Sequence, residues 1–151
     1  MGLETIYPFI KIANEKGKDL FILLKTSNPR SKDIQRLKVN GESVSLKISK
    51  LIKENLPLNL GKSDYSNIGI VVGATKPKEA DLIRKILPNH LFLVTGFGEQ
   101  GGSAEDAFSG LIFNENIYER GLFNSSRSIL FPKDRRELNN IHVWVESVIM
   151  A

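Results

Sequence analysis

Four short apolar runs each stop abruptly in small, polar or glycine-rich residues: LFILL (20–24) before TSNP, IGIVV (68–72) before GAT, LFLV (91–94) before TGFGEQGG, and GLF (121–123) before NSSR. LFILL and IGIVV, as continuous apolar runs, read as strands buried on both faces, LFLV as a third strand and GLF as the start of a short fourth. Amphipathic stretches separate the runs. Residues 3–14 read as a short helix, with Pro8 near its start and Gly17 closing it. In residues 43–55, Val44, Ile48, Leu51 and Ile52 fall on one helical stripe that ends before Pro57. Residues 77–87 place Leu82, Ile83, Ile86 and Leu87 on one side, and Pro88-Asn89 stops them. Ser103, with Asp106 three residues on, has the pattern of a helix cap. A last helix, capped by Asp134 with Glu137, carries Leu138, Ile141, Val145 and Val148 at helical spacing.

Strands alternating with helices imply parallel pairing through right-handed crossovers, hence an α/β fold with both sheet faces covered. Two architectures fit. One is a four-stranded open sheet. The other is part of a (β/α)₈ barrel, which needs eight strands and typically about 250 residues. With 151 residues, the expectation is a single domain over 1–151.

Bulk properties exclude several classes. The chain is 41% hydrophobic and 25% charged, the balance of a globular protein with a sizeable core. Its net charge is +4, but lysine and arginine are scattered, which argues against nucleic acid and allows an anionic small molecule. There is no cysteine, so disulfides, thiolate zinc sites and a cysteine nucleophile are excluded. No apolar run approaches the ~20 residues that cross a bilayer, so no membrane association is expected. The first residues, MGLETIYPF, lack the form of a signal peptide, and a cytoplasmic location is the expectation.

In βα units functional groups gather at the carboxyl ends of the strands. The third such end holds Gly96, Gly98, Gln100, Gly101 and Gly102. Its glycines read either as a loose turn or as a cradle whose N–H groups meet a phosphate. The helix start that follows also favours an anion. Gln100 offers an amide donor. After the fourth strand, Arg127 follows Ser125 and Ser126, and its guanidinium can clamp two phosphate oxygens. Ser27, in a turn before Asn28-Pro29, is turn chemistry on its own. Asp33, Asp64, Asp81, Asp106 and Asp134 read as loop, cap or solvent-face carboxylates, His90 as structural and Trp144 as packing. No metal-binding, P-loop or nucleophile-elbow motif is present.

The segments FILLKTSNP (21–29), YSNIGIVVGAT (65–75), LFLVTGFGEQGG (91–102) and LFNSSRSIL (122–130), in this order and spacing, resemble the bacterial-type orotidine 5′-phosphate decarboxylases. The resemblance covers roughly residues 2–131. It implies a (β/α)₈ barrel that converts orotidine monophosphate to uridine monophosphate and CO₂ in pyrimidine biosynthesis, with no metal or organic cofactor. It implies that Ser27 contacts the pyrimidine ring. Gln100 and Arg127 would grip the 5′-phosphate, joined by backbone from Gly98, Gly101 and the Ser126–Arg127 turn. Two local departures are Thr95, where the family usually has proline, and Glu99, where it usually has alanine.

A third departure is larger. The family's catalytic centre is an Asp-x-Lys-x-x-Asp segment, and no aspartate here has a lysine two places on. The expectation is therefore a carboxyl-terminal half barrel, family strands 5–8 plus the last helix, with no catalytic residue in this chain. Met1-Gly2-Leu3 itself resembles a segment that follows the family's fourth strand. Such a half would hold nucleotide without decarboxylating it. Its open edges and bare inner face would pair with a second copy or with the missing amino-terminal half. The alternatives are a non-catalytic nucleotide-phosphate module, one subunit of a split enzyme, or a small open-sheet protein without a ligand.

Overall fold

The computed structural model describes residues 2–96, 103–124, 141–142 and 145–146. A 3-10 turn (Leu3–Thr5) precedes α1 (Tyr7–Lys16). The helix starts later than the sequence suggests because Pro8 cannot donate to the carbonyl of residue 4, and its ring crowds that carbonyl. Gly17 ends α1 in the left-handed conformation, φ 58°, and donates back to the Ala13 carbonyl. Next come β1 (Leu20–Lys25), a 3-10 turn (Pro29–Ser31), α2 (Lys32–Gln35), β2 (Lys38–Val39), β3 (Glu42–Ser43), α3 (Val44–Asn55), β4 (Ile68–Gly73) and α4 (Pro77–Ile86). Then follow β5 (Phe92–Thr95), α5 (Ala104–Phe108), β6 (Ile112–Asn114), β7 (Ile117–Glu119) and β8 (Gly121–Asn124).

The main sheet has the order β1-β4-β5-β8, and every neighbouring pair is parallel. Two small hairpins, β2–β3 and β6–β7, interrupt the expected strict alternation. Each turns on two residues of positive φ, Asn40-Gly41 (54° and 85°) and Glu115-Asn116 (46° and 65°), the requirement of a type I′ turn.

Pairing registers sort side chains by face. Ile22, Ile70 and Phe92 lie in line, as do Val72 and Val94. With Leu24 and Ile68 they form the core, together with Ile10 of α1, Ile52 of α3, and Ala80 and Ile83 of α4. The opposite face carries Phe21, Leu23, Gly69, Val71, Gly73, Leu93, Thr95 and Leu122, and part of it is bare: Leu23 is 62% exposed and Leu122 49%. This corrects the reading of LFILL as buried on both faces. β4 does fit that reading, with Val71 alone half-buried and its other residues buried.

Two helical stripes are also corrected. In α3 the buried residues are Ser45, Ser49 and Ile52, while Leu51 is exposed. In α4 they are Ala80, Ile83 and Arg84, while Leu82 is exposed. Ser103 caps α5 as expected, accepting from the Asp106 N–H at 3.0 Å. Asp81 is exposed, as expected, and its carboxylate also accepts from the Gly110 N–H at 2.8 Å. Of the last expected helix, Ile141 and Val145 are helical and exposed, whereas Asp134, Glu137, Leu138, Trp144 and Val148 lie outside the described residues.

Arg84 ties the amino ends of β5 and β8 to α4. Its guanidinium donates to the carbonyls of Gly110 (2.5 Å), Leu87 (3.2 Å), Pro88 (3.2 Å), His90 (2.7 Å) and Arg120 (2.8 Å), and lies 3.7 Å from the Phe92 ring centre. Burial, reinforced by the nearby Arg120 charge, pulls its pKa down to about 10, so it remains a cation at neutral pH. Among the described residues no helix is long and apolar enough to cross a membrane.

Candidate functional site

Because the four strands are parallel, their carboxyl ends meet along one edge. Gly73 is the register partner of Thr95, and Thr95 of Asn124. The segments after β5 and β8, which carry Gln100 and Arg127 in the sequence, are thus attached at neighbouring points about 4.8 Å apart. Gly98, Gln100, Gly101, Gly102, Ser126 and Arg127 lie outside the described residues. Ser27 and Gly96 are described.

Gly96 has φ 83°, a conformation that an L side chain adopts only with strain, so the glycine opening this loop is required by its backbone. Ser27 is fixed from several sides. Its Oγ is 3.5 Å from Thr95 Oγ1, and its carbonyl accepts from Thr75 Oγ1 at 3.3 Å. Its backbone N and Cα fill the place where a side chain on Gly73 would stand, 2.7 Å from an ideal Cβ. Gly73 belongs to the open face of the sheet, so Ser27 lies over that face at the carboxyl ends of β4 and β5. The preceding residue is held separately: the Thr26 N–H donates to Gln35 Oε1 of α2 at 3.1 Å. The structure therefore gathers Ser27, Thr75, Thr95 and Gly96 at one edge.

Sequence reasoning missed a charged cluster just behind this edge. The β1–β4 register slips between Leu23 and Lys25, an irregularity that lets consecutive Leu24 and Lys25 both be buried. Lys25 is 0% exposed, and its Nζ lies 3.1 Å from Glu79 Oε2 in the first turn of α4. Glu79 Oε1 accepts from Ser43 Oγ at 3.0 Å and from Ser45 Oγ. Burial works to raise the Glu79 pKa, but the Ser45 hydrogen bond, the adjacent Lys25 cation and the Ser43 hydrogen bond together outweigh it. The carboxyl sits below its ordinary value and is ionised. The available signal was a lysine closing an apolar run, a place where a cation needs a buried partner.

Nothing in the described part assembles a metal site: no three histidine, aspartate or glutamate side chains come together there. The described edge supplies hydroxyls, backbone and glycine space, which suit positioning a neutral, hydrogen-bonding ring.

Residues 1–139 match the orotidine 5′-phosphate decarboxylase / HUMPS family. The chain is 34% identical over 139 residues to orotidine 5′-phosphate decarboxylase of Rhodopirellula baltica, covering 92% of this chain and 45% of that protein. To the Caldicellulosiruptor bescii enzyme of the same name it is 41% identical over 132 residues, covering 87% and 42%. It thus spans less than half the length of these curated relatives. Among solved structures, it superimposes on Leishmania donovani UMP synthase with a TM-score of 0.74 at 30% identity, covering 99% of this chain and 30% of that one. It also superimposes on a putative orotidine-monophosphate decarboxylase of Toxoplasma gondii, with a TM-score of 0.71 at 27% identity, covering 99% and 57%. Its four parallel strands and their helices are part of the barrel architecture of these proteins, and the chain belongs to the orotidine 5′-phosphate decarboxylase / HUMPS family.

Proposed function

We propose that these 151 residues form the phosphate- and pyrimidine-binding portion of an orotidine 5′-phosphate decarboxylase, and that alone they bind the nucleotide without transforming it. The observation that carries this reading is the shared edge. Ser27, following β1, reaches over Gly73 of β4 to Thr95, the residue before Gly96, and the segments bearing Gln100 and Arg127 follow the register partners Thr95 and Asn124. In this assignment Ser27 hydrogen-bonds the pyrimidine. Gln100 and the Arg127 guanidinium bind the 5′-phosphate, with N–H groups of Gly96, Gly98, Gly101, Gly102 and Ser126 completing the cradle.

Decarboxylation breaks the bond between ring carbon C6 and the carboxylate, leaves the electron pair on C6 and requires a proton delivered there. A placed cationic acid both stabilises that pair and supplies the proton. The family's Asp-x-Lys-x-x-Asp segment, which resemblance assigns to this work, does not occur in the sequence. Lys25 is no substitute, being fully buried and paired with Glu79. Calorimetry with uridine monophosphate, run beside a decarboxylation assay, tests the proposal. Binding without turnover is expected. Turnover by the purified chain, or absence of any nucleotide binding, overturns it.

A second reading is favoured by the open face. Phe21, Leu23 and Leu122 remain exposed, and a cleft of about 420 Å³ runs past Phe21, Tyr65, Asn67 and Leu91 at the amino ends of the strands. In this reading the chain is one part of a split enzyme whose other part covers that face. Mixing with an amino-terminal half of a relative would then restore turnover, whereas a non-catalytic binding module would stay inactive.

A further inference from the structure

The Lys25–Glu79 pair is an awkward way to stabilise a core. Both charges must leave water, and well-packed apolar residues of similar volume usually do as well or better. What such a pair supplies is position. The Glu79 carboxylate joins β1 to α3, through Lys25 at the end of β1, Ser43 capping α3, and Ser45 in the first turn of α3. It also lies in the first turn of α4, where a negative charge is favoured. The chain then runs from Lys25 into Thr26, tied to Gln35, and Ser27, tied to Thr75 and Thr95. A shift of Lys25 is thus passed on within two residues to the Ser27 hydroxyl.

We propose that Lys25 and Glu79 are positioning residues that set selectivity for the pyrimidine base by fixing the backbone of residues 26–28. This rests on the reading that Ser27 meets the base. It adds residues on the helix-covered side of the sheet, none of which touches ligand. The pair acts on base recognition only, because the phosphate is assigned to segments after β5 and β8.

The test compares the full chain with the K25M/E79M double variant, which removes both charges at similar volume. Ser43 Oγ and Ser45 Oγ, 3.1 Å apart, remain as partners for each other. Uridine monophosphate and ribose 5-phosphate are titrated into each protein, and a urea melt is recorded. The expected result is an unchanged melt and unchanged ribose 5-phosphate affinity, with uridine monophosphate affinity lower by about tenfold. An unchanged ratio of the two affinities overturns the proposal, and so does an equal loss of both. If the double variant does not fold, E79Q, which keeps the carbonyl acceptor for the serines, is read by the same ratio and by amide exchange at Thr26. A ratio and an exchange rate both equal to wild type overturn the proposal there. Wild type that binds ribose 5-phosphate but shows no preference for uridine monophosphate removes the role of Ser27 and this inference with it. Wild type that binds neither defeats the functional reading itself.

Discussion

Ser27 and Thr95, 68 residues apart in the chain, bring their hydroxyl oxygens to 3.5 Å across the carboxyl ends of the sheet. At that separation the contact is at the limit of a hydrogen bond and contributes little. A ligand base that takes the Ser27 hydroxyl has to draw it from this contact. Ser27→Ala should lower uridine monophosphate affinity about two- to tenfold, the value of one neutral hydrogen bond, and leave ribose 5-phosphate affinity unchanged. Thr95→Val should not weaken uridine monophosphate and should tighten it by up to about threefold. Calorimetry with the two ligands checks both. A loss on Thr95→Val would mean that Thr95 itself holds the ligand.

The phosphate assignment predicts a different pattern. Gln100→Ala and Arg127→Met should weaken uridine monophosphate and ribose 5-phosphate to the same extent, because the group that they bind is common to both. Loss of charge-assisted hydrogen bonds sets the size at about 10- to 100-fold for Arg127 and less for Gln100. The Arg127 contribution should shrink as salt is raised. A loss confined to the nucleoside would overturn the assignment.

Gly73→Ala tests whether the edge is held from below. The added methyl meets the Ser27 backbone, which must move, whereas the register of β4 with β5 gives no reason for the sheet to change. A cost of about 1–3 kcal/mol is expected for forcing extra volume against packed backbone. Nucleotide affinity should fall through the displaced Ser27. Urea denaturation and a uridine monophosphate titration measure the two effects. A variant of wild-type affinity would show that Ser27 does not need its present seat.

These outcomes bear on what can be read from residues alone. β4 was legible because IGIVV is covered on both faces, so apolarity and burial coincide. β1 was not. LFILL is as apolar, but half of it faces the open side of the sheet, and a run of hydrophobic residues does not say which face has a neighbour. In α3 the buried face holds Ser45 and Ser49. Ser49 Oγ donates to the Ser45 carbonyl at 2.8 Å and Ser45 Oγ to Glu79, so polar groups are buried with their hydrogen bonds satisfied. Serines carry no apolar signal, so the stripe of Val44, Ile48, Leu51 and Ile52 did not include them. The β2–β3 hairpin did carry a signal in Asn40-Gly41, whereas Glu115-Asn116 announces the second turn poorly. Nothing in the sequence around Arg84 marks it out, and only the fold shows that five carbonyls converge on it. The strand-end motifs were legible because small, polar and glycine-rich residues stand out against the apolar runs that they end, and parallel topology alone is enough to bring their strands' ends to one edge.

His90 gives the protein an acid sensitivity above the carboxylate range. It is 6% exposed, and its Nδ1 has no hydrogen-bond partner among the described residues. Burial, aided by the Arg84 charge, pushes its pKa down to about 4 from an ordinary 6.5. The folded chain therefore holds His90 neutral while the unfolded chain protonates it. The contribution is fully present above about pH 6.5 and is lost as pH falls from there toward about pH 4. Between about pH 7.5 and about pH 5 the expected loss is about 2 kcal/mol. Glu79, whose folded pKa is depressed, contributes stability above the ordinary carboxylate value and loses it only below that, so the two windows separate. His90→Gln should flatten the dependence between about pH 6.5 and about pH 5 and leave the steeper acid limb in place. Urea midpoints across this range measure it. A His90→Gln protein with the wild-type slope would show that another group carries the sensitivity.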